Sequence, residues 1–400
     1  MFSCGNQAQT SLPDITADLD QQFSVEISKE GLHKKFNSKA VAFIKALIKL
    51  QLSKQSLSQA QILGCHFKAI NIKDSSKFLL PSTYNGHYPG FGNFSQSQGV
   101  MNIQYEYDIL SGNWKTIELT TIKRNDQLDS TLSIDSIAKN ELYIRDLGYV
   151  TPTYLKAIIS KGAYYLNRLP AQAMVYRKKD NRKIDWLRIQ QIFRKIGTDA
   201  LDMEVMVYQK EPISCRMVVE RVDDSLYRER IKQAKLSASR HGVGITKEHK
   251  ARCRYNIFIT NIGRDVLLTS KIRQVYYLRW QIELIFKTWK SNIQINKIKK
   301  VKKERLECHL LAKLLWTILN WKLLQCCASH LRIRDRSTGI SVIKFFKRCI
   351  AFSSSLRLVI LQRLPIKLWL IQIFLPMIRN TQCEPPANKK THFQTITSLS

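Results

Sequence analysis

Regular alternation of apolar and polar positions begins at residue 67 and organises the chain from there. From Phe67 to Asp74 it places Ile70, Ile72 and Asp74 on one face of a predicted strand that Asp74 closes. Gly99 to Leu110 alternates again, Ser111-Gly112-Asn113 carries turn chemistry, and Thr116 to Ile122 follows as a third strand, so a hairpin is expected. Residues 129–139 suit a helix. Leu142, Ile144 and Asp146 share one face of a short strand, with Gly148 just past its end. Val150 to Lys161 reads as a helix and Ala163 to Leu169 as a strand. The resulting order, strand–strand–strand–helix–strand–helix–strand, predicts an α/β sheet with mixed strand directions.

The flanks follow other rhythms. Ser28 to Phe36 and Val41 to Leu52 read as short helices, either a helix-turn-helix reader of nucleic acid or an ordinary packed segment. Residues 171–262 break the α/β order with β-leaning segments (Leu201 to Gln209, Ser214 to Val222, Tyr255 to Thr260) around a basic helical stretch, Leu226 to Arg240. They read as a mostly β insertion. Residues 264–290 form a long helical run, and residues 305–378 add further helices. The expected division is 1–60 (N-terminal helical), 61–170 (first part of the α/β core), 171–262 (insertion), 263–330 (the rest of the core) and 331–400 (C-terminal helices and tail).

Composition narrows the partners. The 400 residues carry 64 Lys+Arg against 31 Asp+Glu, a net charge of +33, which points to a polyanion, either nucleic acid or an anionic membrane surface. At 44% apolar residues the chain can bury sizeable cores, which excludes a largely disordered basic protein. The nine cysteines are scattered without a Cys-x-x-Cys pair, so reduced thiols in a cytoplasmic protein are expected rather than a zinc site or a disulfide framework. The first residues show no secretory signal. The apolar stretches 309–331 and 356–378 are interrupted by Lys313, Lys322, Arg357, Arg363 and Lys367, too often for a membrane span.

Candidate chemistry gathers around Tyr276-Tyr-Leu-Arg279-Trp-Gln-Ile-Glu283-Leu-Ile-Phe-Lys-Thr-Trp-Lys290. On a continuous helix Tyr276, Arg279, Glu283 and Lys290 fall in a stripe about 60° wide, opposite Leu278, Ile282, Ile285 and Trp289. By itself that pattern also describes a solvated face with an i,i+4 Arg–Glu pair. The strand-end carboxylates Asp74 and Asp146 change the weighting. Two strand ends beside a helix bearing a third carboxylate can converge on divalent cations, and Mg²⁺ takes oxygen ligands of this kind. Residues 271–305 hold eleven Lys/Arg against Glu283 and Glu304, so Lys299, Lys300, Lys302 and Lys303 read as a phosphate-tracking surface. Trp186 is expected to pack rather than to stack a nucleic-acid base, and Asp126 to be a surface or capping carboxylate.

Tyr276-x2-Arg279-x3-Glu283-x6-Lys290 resembles the Y-R-E-K motif of the insertion-sequence-four family of DDE transposases. Asn71-Ile-Lys-Asp74-Ser-Ser is similar to the strand carrying that family's first catalytic Asp, with Ser76 where Thr is usual. Ile144-Arg-Asp146-Leu-Gly148-Tyr is similar to the second-Asp motif, and Tyr88-Pro-Gly-Phe-Gly and Asn125-Asp126-Gln127 to the segment linking them. The likeness covers about residues 28–325. It implies an RNase H-like catalytic domain interrupted by a β-rich insertion, with N- and C-terminal helices outside it. It also implies Asp74, Asp146 and Glu283 as catalytic metal ligands for Mg²⁺, for which Mn²⁺ can substitute, and Tyr276, Arg279 and Lys290 as grips on DNA. Implied partners are transposon terminal inverted repeats, target DNA and a second copy of the chain, in the bacterial cytoplasm with the nucleoid and away from membranes. The segment before Ser28 is shorter than in relatives, which implies altered end recognition. A DNA nuclease of the same fold, and a DNA-binding remnant without catalysis, are the alternatives.

Overall fold

The computed structural model describes residues 11–54, 66–90, 98–169, 173–240, 242–334 and 339–383. Three helices come first: α1 (Leu12–Phe23), α2 (Lys29–Lys35) and α3 (Ser38–Ser53). Each starts at a side-chain cap, and the Asn37 carboxamide that opens α3 accepts the Ala40 N–H at 3.1 Å. α3 turns Val41 and Ile48 inward. It packs on the long helix α11 (Lys303–Arg334), where Lys322 Nζ donates to Gln51 Oε1 at 2.9 Å.

The expected strands are present and pair in one sheet. β1 (Ala69–Leu80), β2 (Gly99–Asp108) and β3 (Trp114–Thr121) form an antiparallel meander. After α4 (Asp126–Leu132), β4 (Glu141–Arg145) lies parallel to β1. After α5 (Pro152–Ser160), β5 (Tyr164–Arg168) lies parallel to β4. α5 is opened by Thr151, whose Oγ1 accepts the Tyr154 N–H at 3.3 Å, with Pro152 at the first helical position.

Residues 173–260 supply β6 (Val175–Arg177), α6 (Trp186–Ile196), β7 (Ala200–Val207), β8 (Ile213–Arg221), α7 (Asp224–Arg240), α8 (Lys247–Arg252) and β9 (Tyr255–Thr260). The stretch is mixed rather than mostly β, since α6, α7 and α8 hold more residues than its four strands, and those strands make no separate sheet. They extend the first one antiparallel beyond β5, giving the nine-strand order β3-β2-β1-β4-β5-β9-β8-β7-β6.

The helical remainder is α9 (Ile272–Tyr277), α10 (Trp280–Ser291), α11 (Lys303–Arg334), α12 (Val342–Ala351), α13 (Ser353–Ile360) and α14 (Ile366–Thr381). A two-residue ladder, β10 (Gly339–Ile340) with β11 (Gln382–Cys383), ties together the two ends of the segment that carries α12, α13 and α14. Among the described residues no helix is long and apolar enough to cross a membrane.

Strand alternation sorts the interior into two cores. One face carries Ile70, Ile72, Leu142, Ile144, Leu166, Phe258 and Val218, covered by α9 to α14. The other carries Tyr143, Tyr165, Ile257, Ile259 and Val219, covered by α5, α6 and α8. Over β1 and β2 the first core is aromatic: Trp289 of α10 meets Tyr105 edge-on with ring centroids 5.1 Å apart, and Trp114 touches both Trp289 and Trp321.

Three expectations need correction. β1 does not end at Asp74 but runs six residues further, because Ser75 to Leu80 stay paired with β2 after the pairing to β4 has stopped at Lys73. The helix expected over 129–139 is α4 plus a separate 3₁₀ turn at Ile134–Ser136. Ser130, Ser133 and Ser136 each turn a hydroxyl back onto a nearby carbonyl, which competes with helical continuation. The run 264–290 is not one helix either. Arg216 donates to the carbonyls of Ile262, Gly263 and Leu267 and so fixes the connecting loop, and a 3₁₀ turn at Thr269–Lys271 leads into α-helix only from Ile272.

Candidate active site

The pairing register places the two strand carboxylates. β1 and β4 are parallel with Lys73 opposite Arg145, so Asp74 and Asp146 are the next residues of adjacent strands. Both follow an apolar residue of the first core by two positions, so both face α10. Asp146 then leaves the sheet at the start of a 3₁₀ turn, Leu147–Tyr149.

α10 supplies the third carboxylate. Its buried stripe is Ile282, Ile285 and Trp289, as the periodicity predicts, and Glu283 lies in the first turn, where the helix dipole favours an anion. The backbone tightens just before it: the N–H groups of Leu278 and Arg279 bond to carbonyls three residues back, and the chain passes from α9 to α10 there. The single stripe expected through Tyr276, Arg279, Glu283 and Lys290 is therefore broken. Tyr276 is buried at 7% exposure, its ring 5.3 Å from Phe258, and burial pushes its hydroxyl up to about 12. Lys290 remains exposed.

Arg279 spans the acidic groups. Its Nη1 donates to Asp74 Oδ2 at 3.1 Å and its Nη2 to Glu283 Oε1 at 2.6 Å, while the Ser75 N–H donates to Asp74 Oδ1 at 2.8 Å. Burial pushes the Asp74 carboxyl up to about 6, and Asp146 and Asp126 add to the rise. The Ser75 N–H and Arg279 work against it without cancelling it. One guanidinium thus faces several carboxylates, and the centre is short of positive charge. Among the described residues no three His, Cys, Asp or Glu side chains stand together at metal-binding distance. The donor chemistry nevertheless suits a hard divalent cation, because every candidate ligand is a carboxylate oxygen.

A cleft of about 640 Å³ opens beside this group, with Asp74 and Glu283 on its wall and Lys77, Lys287 and Lys290 around it. The loop between α10 and α11 carries Lys299 and Lys300, both exposed and outside every salt bridge among the described residues. Tyr84 pins that loop, since its hydroxyl accepts the Val301 N–H at 2.8 Å. Lys302 and Lys303 are partly engaged within the protein, 3.6 Å from Glu304 and 3.9 Å from Glu307.

Asp126 is the residue the sequence reading undervalued. It starts α4, accepts the Ser75 hydroxyl at 2.9 Å, and lies so close to Gly148 that a Cβ there would stand 2.8 Å from its Oδ2. It is thus a fourth carboxylate bordering Asp74. Only the fold brings residues 75, 126 and 148 together, and no spacing in the sequence signals it. Trp186 packs as expected, 3% exposed beneath the Arg252 guanidinium. The six described cysteines whose side chains are placed are free thiols. Cys4, Cys65 and the Phe91-Gly92 end of the linking motif lie outside the described residues.

Behind the centre lies a buried ionic lattice. Arg145 Nη2 meets Glu106 Oε1 at 2.6 Å, Lys73 Nζ lies 3.8 Å from Glu106 Oε2 and pairs closely with Asp129, and Arg124 holds the other oxygen of Asp129 at 2.7 Å. Lys73, Glu106, Asp129 and Arg145 are all 3% exposed or less. The two cations each precede a candidate catalytic Asp, so the lattice ties β1 to β4 where Asp74 and Asp146 emerge.

Residues 66–319 match the family described as the transposase DDE domain, and the chain belongs to that family. Its relatives include the transposase for insertion sequence element IS231F of Bacillus thuringiensis subsp. israelensis, 33% identical across 72% of this chain and 64% of that protein. The transposase for IS231B of Bacillus thuringiensis subsp. berliner is 32% identical across 77% of this chain and 68% of its own length. The transposase for IS1151 of Clostridium perfringens is 26% identical across 77% and 69%. The chain therefore spans about two thirds of the length of these curated relatives.

Proposed function

We propose that this chain is a metal-dependent DNA transposase of the insertion-sequence-four type that moves its element by cutting and pasting. The observation that carries the reading is that Asp74 and Asp146 are neighbouring positions of the parallel strands β1 and β4, with Arg279 joining Asp74 to Glu283 of α10. The order β3-β2-β1-β4-β5, an antiparallel meander followed by two parallel strands, supports an RNase H-like core. In this reading residues 61–170 and 263–330 form the catalytic core and 171–262 the insertion.

Asp74, Asp146 and Glu283 would hold Mg²⁺ or Mn²⁺, which lowers the cost of forming the attacking oxygen and of releasing the departing one. Water attacks the phosphodiester at the element end, the P–O3′ bond breaks, and a 3′-OH is freed. That hydroxyl then attacks a target phosphodiester, joining the element and releasing the target's own 3′ oxygen. Lys290, Lys299 and Lys300, with Lys302 and Lys303 beside them, hold the strand by its phosphates, and buried Tyr276 supports Arg279 rather than reaching solvent. Two ends joined in one event call for two such centres, hence a homodimer on paired inverted repeats, working with the nucleoid in the cytoplasm.

The test is incubation of the purified chain with linear DNA carrying the element's inverted repeats. Cleavage at the repeat boundary in Mg²⁺ or Mn²⁺ and none in EDTA is the expected result. Cutting indifferent to the repeats would favour a nuclease, and retention without cutting in any metal would favour a binding remnant.

Arg279 gives a second, separate expectation. It occupies an oxygen of both Asp74 and Glu283, so it competes with a divalent cation until a DNA phosphate draws it away. Arg279→Gln should bind Mn²⁺ about tenfold more tightly than the native chain without DNA, a difference of about 1.4 kcal/mol measurable by calorimetry. Equal or weaker Mn²⁺ binding would remove this competing role.

A further inference from the structure

The row of neighbouring strand positions that carries Asp74 and Asp146 does not stop at Asp146. β4 and β5 pair in parallel with Arg145 opposite Asn167, so Arg168 is the next position of the same row, about 4.8 Å further along it. Arg168 also stands opposite Phe258 of β9, whose side chain lies in the same core as Ile72 and Ile144. Two residues back along β9, Asn256 Oδ1 accepts from Arg230 Nη2 at 2.6 Å. Arg230 reaches this face from α7 and is anchored there through Nη1 to the carbonyls of Cys253 and Tyr255, at 3.3 and 3.0 Å.

Arg273 of α9 completes the group. Its guanidinium lies 5.4 Å over the Tyr277 ring and donates to that hydroxyl at 3.2 Å, and Tyr277 is 48% exposed. None of the three arginines belongs to a salt bridge among the described residues, although the protein pairs its arginines freely elsewhere. They repel one another instead: burial, then Arg168 and more weakly Arg273, hold the Arg230 guanidinium below its usual range. Burial raises the Glu220 carboxyl while Arg273 lowers it, and the Tyr277 hydroxyl, with Glu220 and Asp223 beyond it, raises the Arg273 guanidinium without forming a salt bridge among the described residues. Planar guanidiniums outside any salt bridge among the described residues, at the rim of a sheet, are suited to the oxygens of phosphodiesters.

We propose that Arg168, Arg230 and Arg273, with Tyr277, form a second phosphate-binding surface that holds the nucleic-acid backbone on the insertion side of the acidic centre. The lysines around the cleft then hold the backbone on the other side, and the strand crosses the carboxylate row between two cationic banks. That the polymer is DNA rests on the transposase reading, whereas the surface itself rests on the placement of the three arginines.

Binding of a repeat-end duplex, measured in EDTA on a Glu283→Gln background, separates the two. Arg168→Gln and Arg273→Gln should each weaken binding about three- to tenfold and flatten the dependence of log K on log salt by about one ion, as Lys290→Gln should. Arg168→Lys and Arg273→Lys should recover part of the salt slope at an unchanged melting temperature. An altered slope for Lys290→Gln with unaltered slopes for both arginine variants would overturn the second surface alone. No change for any of the three would overturn the DNA reading along with it.

Discussion

Asp74→Asn is expected to lose at least about 10³-fold in cleavage rate, about 4 kcal/mol of transition-state stabilisation, and yet to melt higher than the native chain above pH 6. The loss follows because the carboxamide keeps the shape of the residue and removes the charge that would hold a divalent cation. The gain in stability follows from the folded environment. Burial, with Asp146 and Asp126 adding to it, pushes this carboxyl up to about 6, against an ordinary value near 4 for an unfolded chain. A carboxyl raised on folding costs nothing below its unfolded pKa, and its destabilising effect grows as pH rises through about 6. With a side chain only 19% exposed, the effect at pH 7 is on the order of 2–3 kcal/mol. The native chain and Asp74→Asn should therefore melt alike near pH 4 and diverge between pH 4 and 7. Added Ca²⁺, which binds without supporting turnover, should raise the native melting temperature and leave Asp74→Asn where it was. A native chain that melts no lower than Asp74→Asn at pH 7.5 would contradict the desolvated carboxyl.

The second large effect is expected at Glu106. It is 3% exposed and balances both Arg145 and Lys73, whose charges draw its carboxyl below the usual carboxylate range although burial alone would raise it. Glu106→Gln leaves Arg145 facing a neutral amide in the interior, and removing one partner of such a pair costs about 3–5 kcal/mol. Urea denaturation should show that loss. Replacing Arg145 and Glu106 together by Met and Leu should cost less than Glu106→Gln alone, because no buried charge is then stranded. Since a lowered carboxylate contributes stability that disappears as pH falls through its folded pKa, Glu106→Gln should also flatten the acid limb of the native stability profile. Cleavage should fall in both variants, because the lattice aligns the strands bearing Asp74 and Asp146.

Much of this arrangement is legible in the sequence, for identifiable reasons. Ile70, Ile72 and Asp74, like Leu142, Ile144 and Asp146, alternate strictly, and alternation alone decides which sheet face a strand residue joins. Ile282, Ile285 and Trp289 recur at helical spacing, which fixes the face of α10. What the sequence did not disclose depends on contacts between distant segments. The helix breaks at Leu278–Arg279, and Tyr276, which continuous periodicity puts on the open face, is buried against Phe258 of a distant strand. The junction of Ser75, Asp126 and Gly148 needs three segments to meet. The Lys73–Glu106–Asp129–Arg145 lattice was invisible because charged residues at strand positions ordinarily signal solvent. The strands of 171–262 were recognised as strands, but their continuation of the main sheet is a property of pairing order, which local pattern does not encode.

The most direct test of a metal-dependent centre at Asp74, Asp146 and Glu283 is anomalous diffraction from crystals of the chain bound to repeat-end DNA and soaked in Mn²⁺. An anomalous peak ligated by the carboxylates of Asp74 and Asp146 beside Glu283 is expected, with the Arg279 guanidinium turned from Asp74 to a phosphate. Saturating Mn²⁺ with no peak at these carboxylates, or with Arg279 still bridging Asp74 and Glu283 while the DNA is cut, would contradict it.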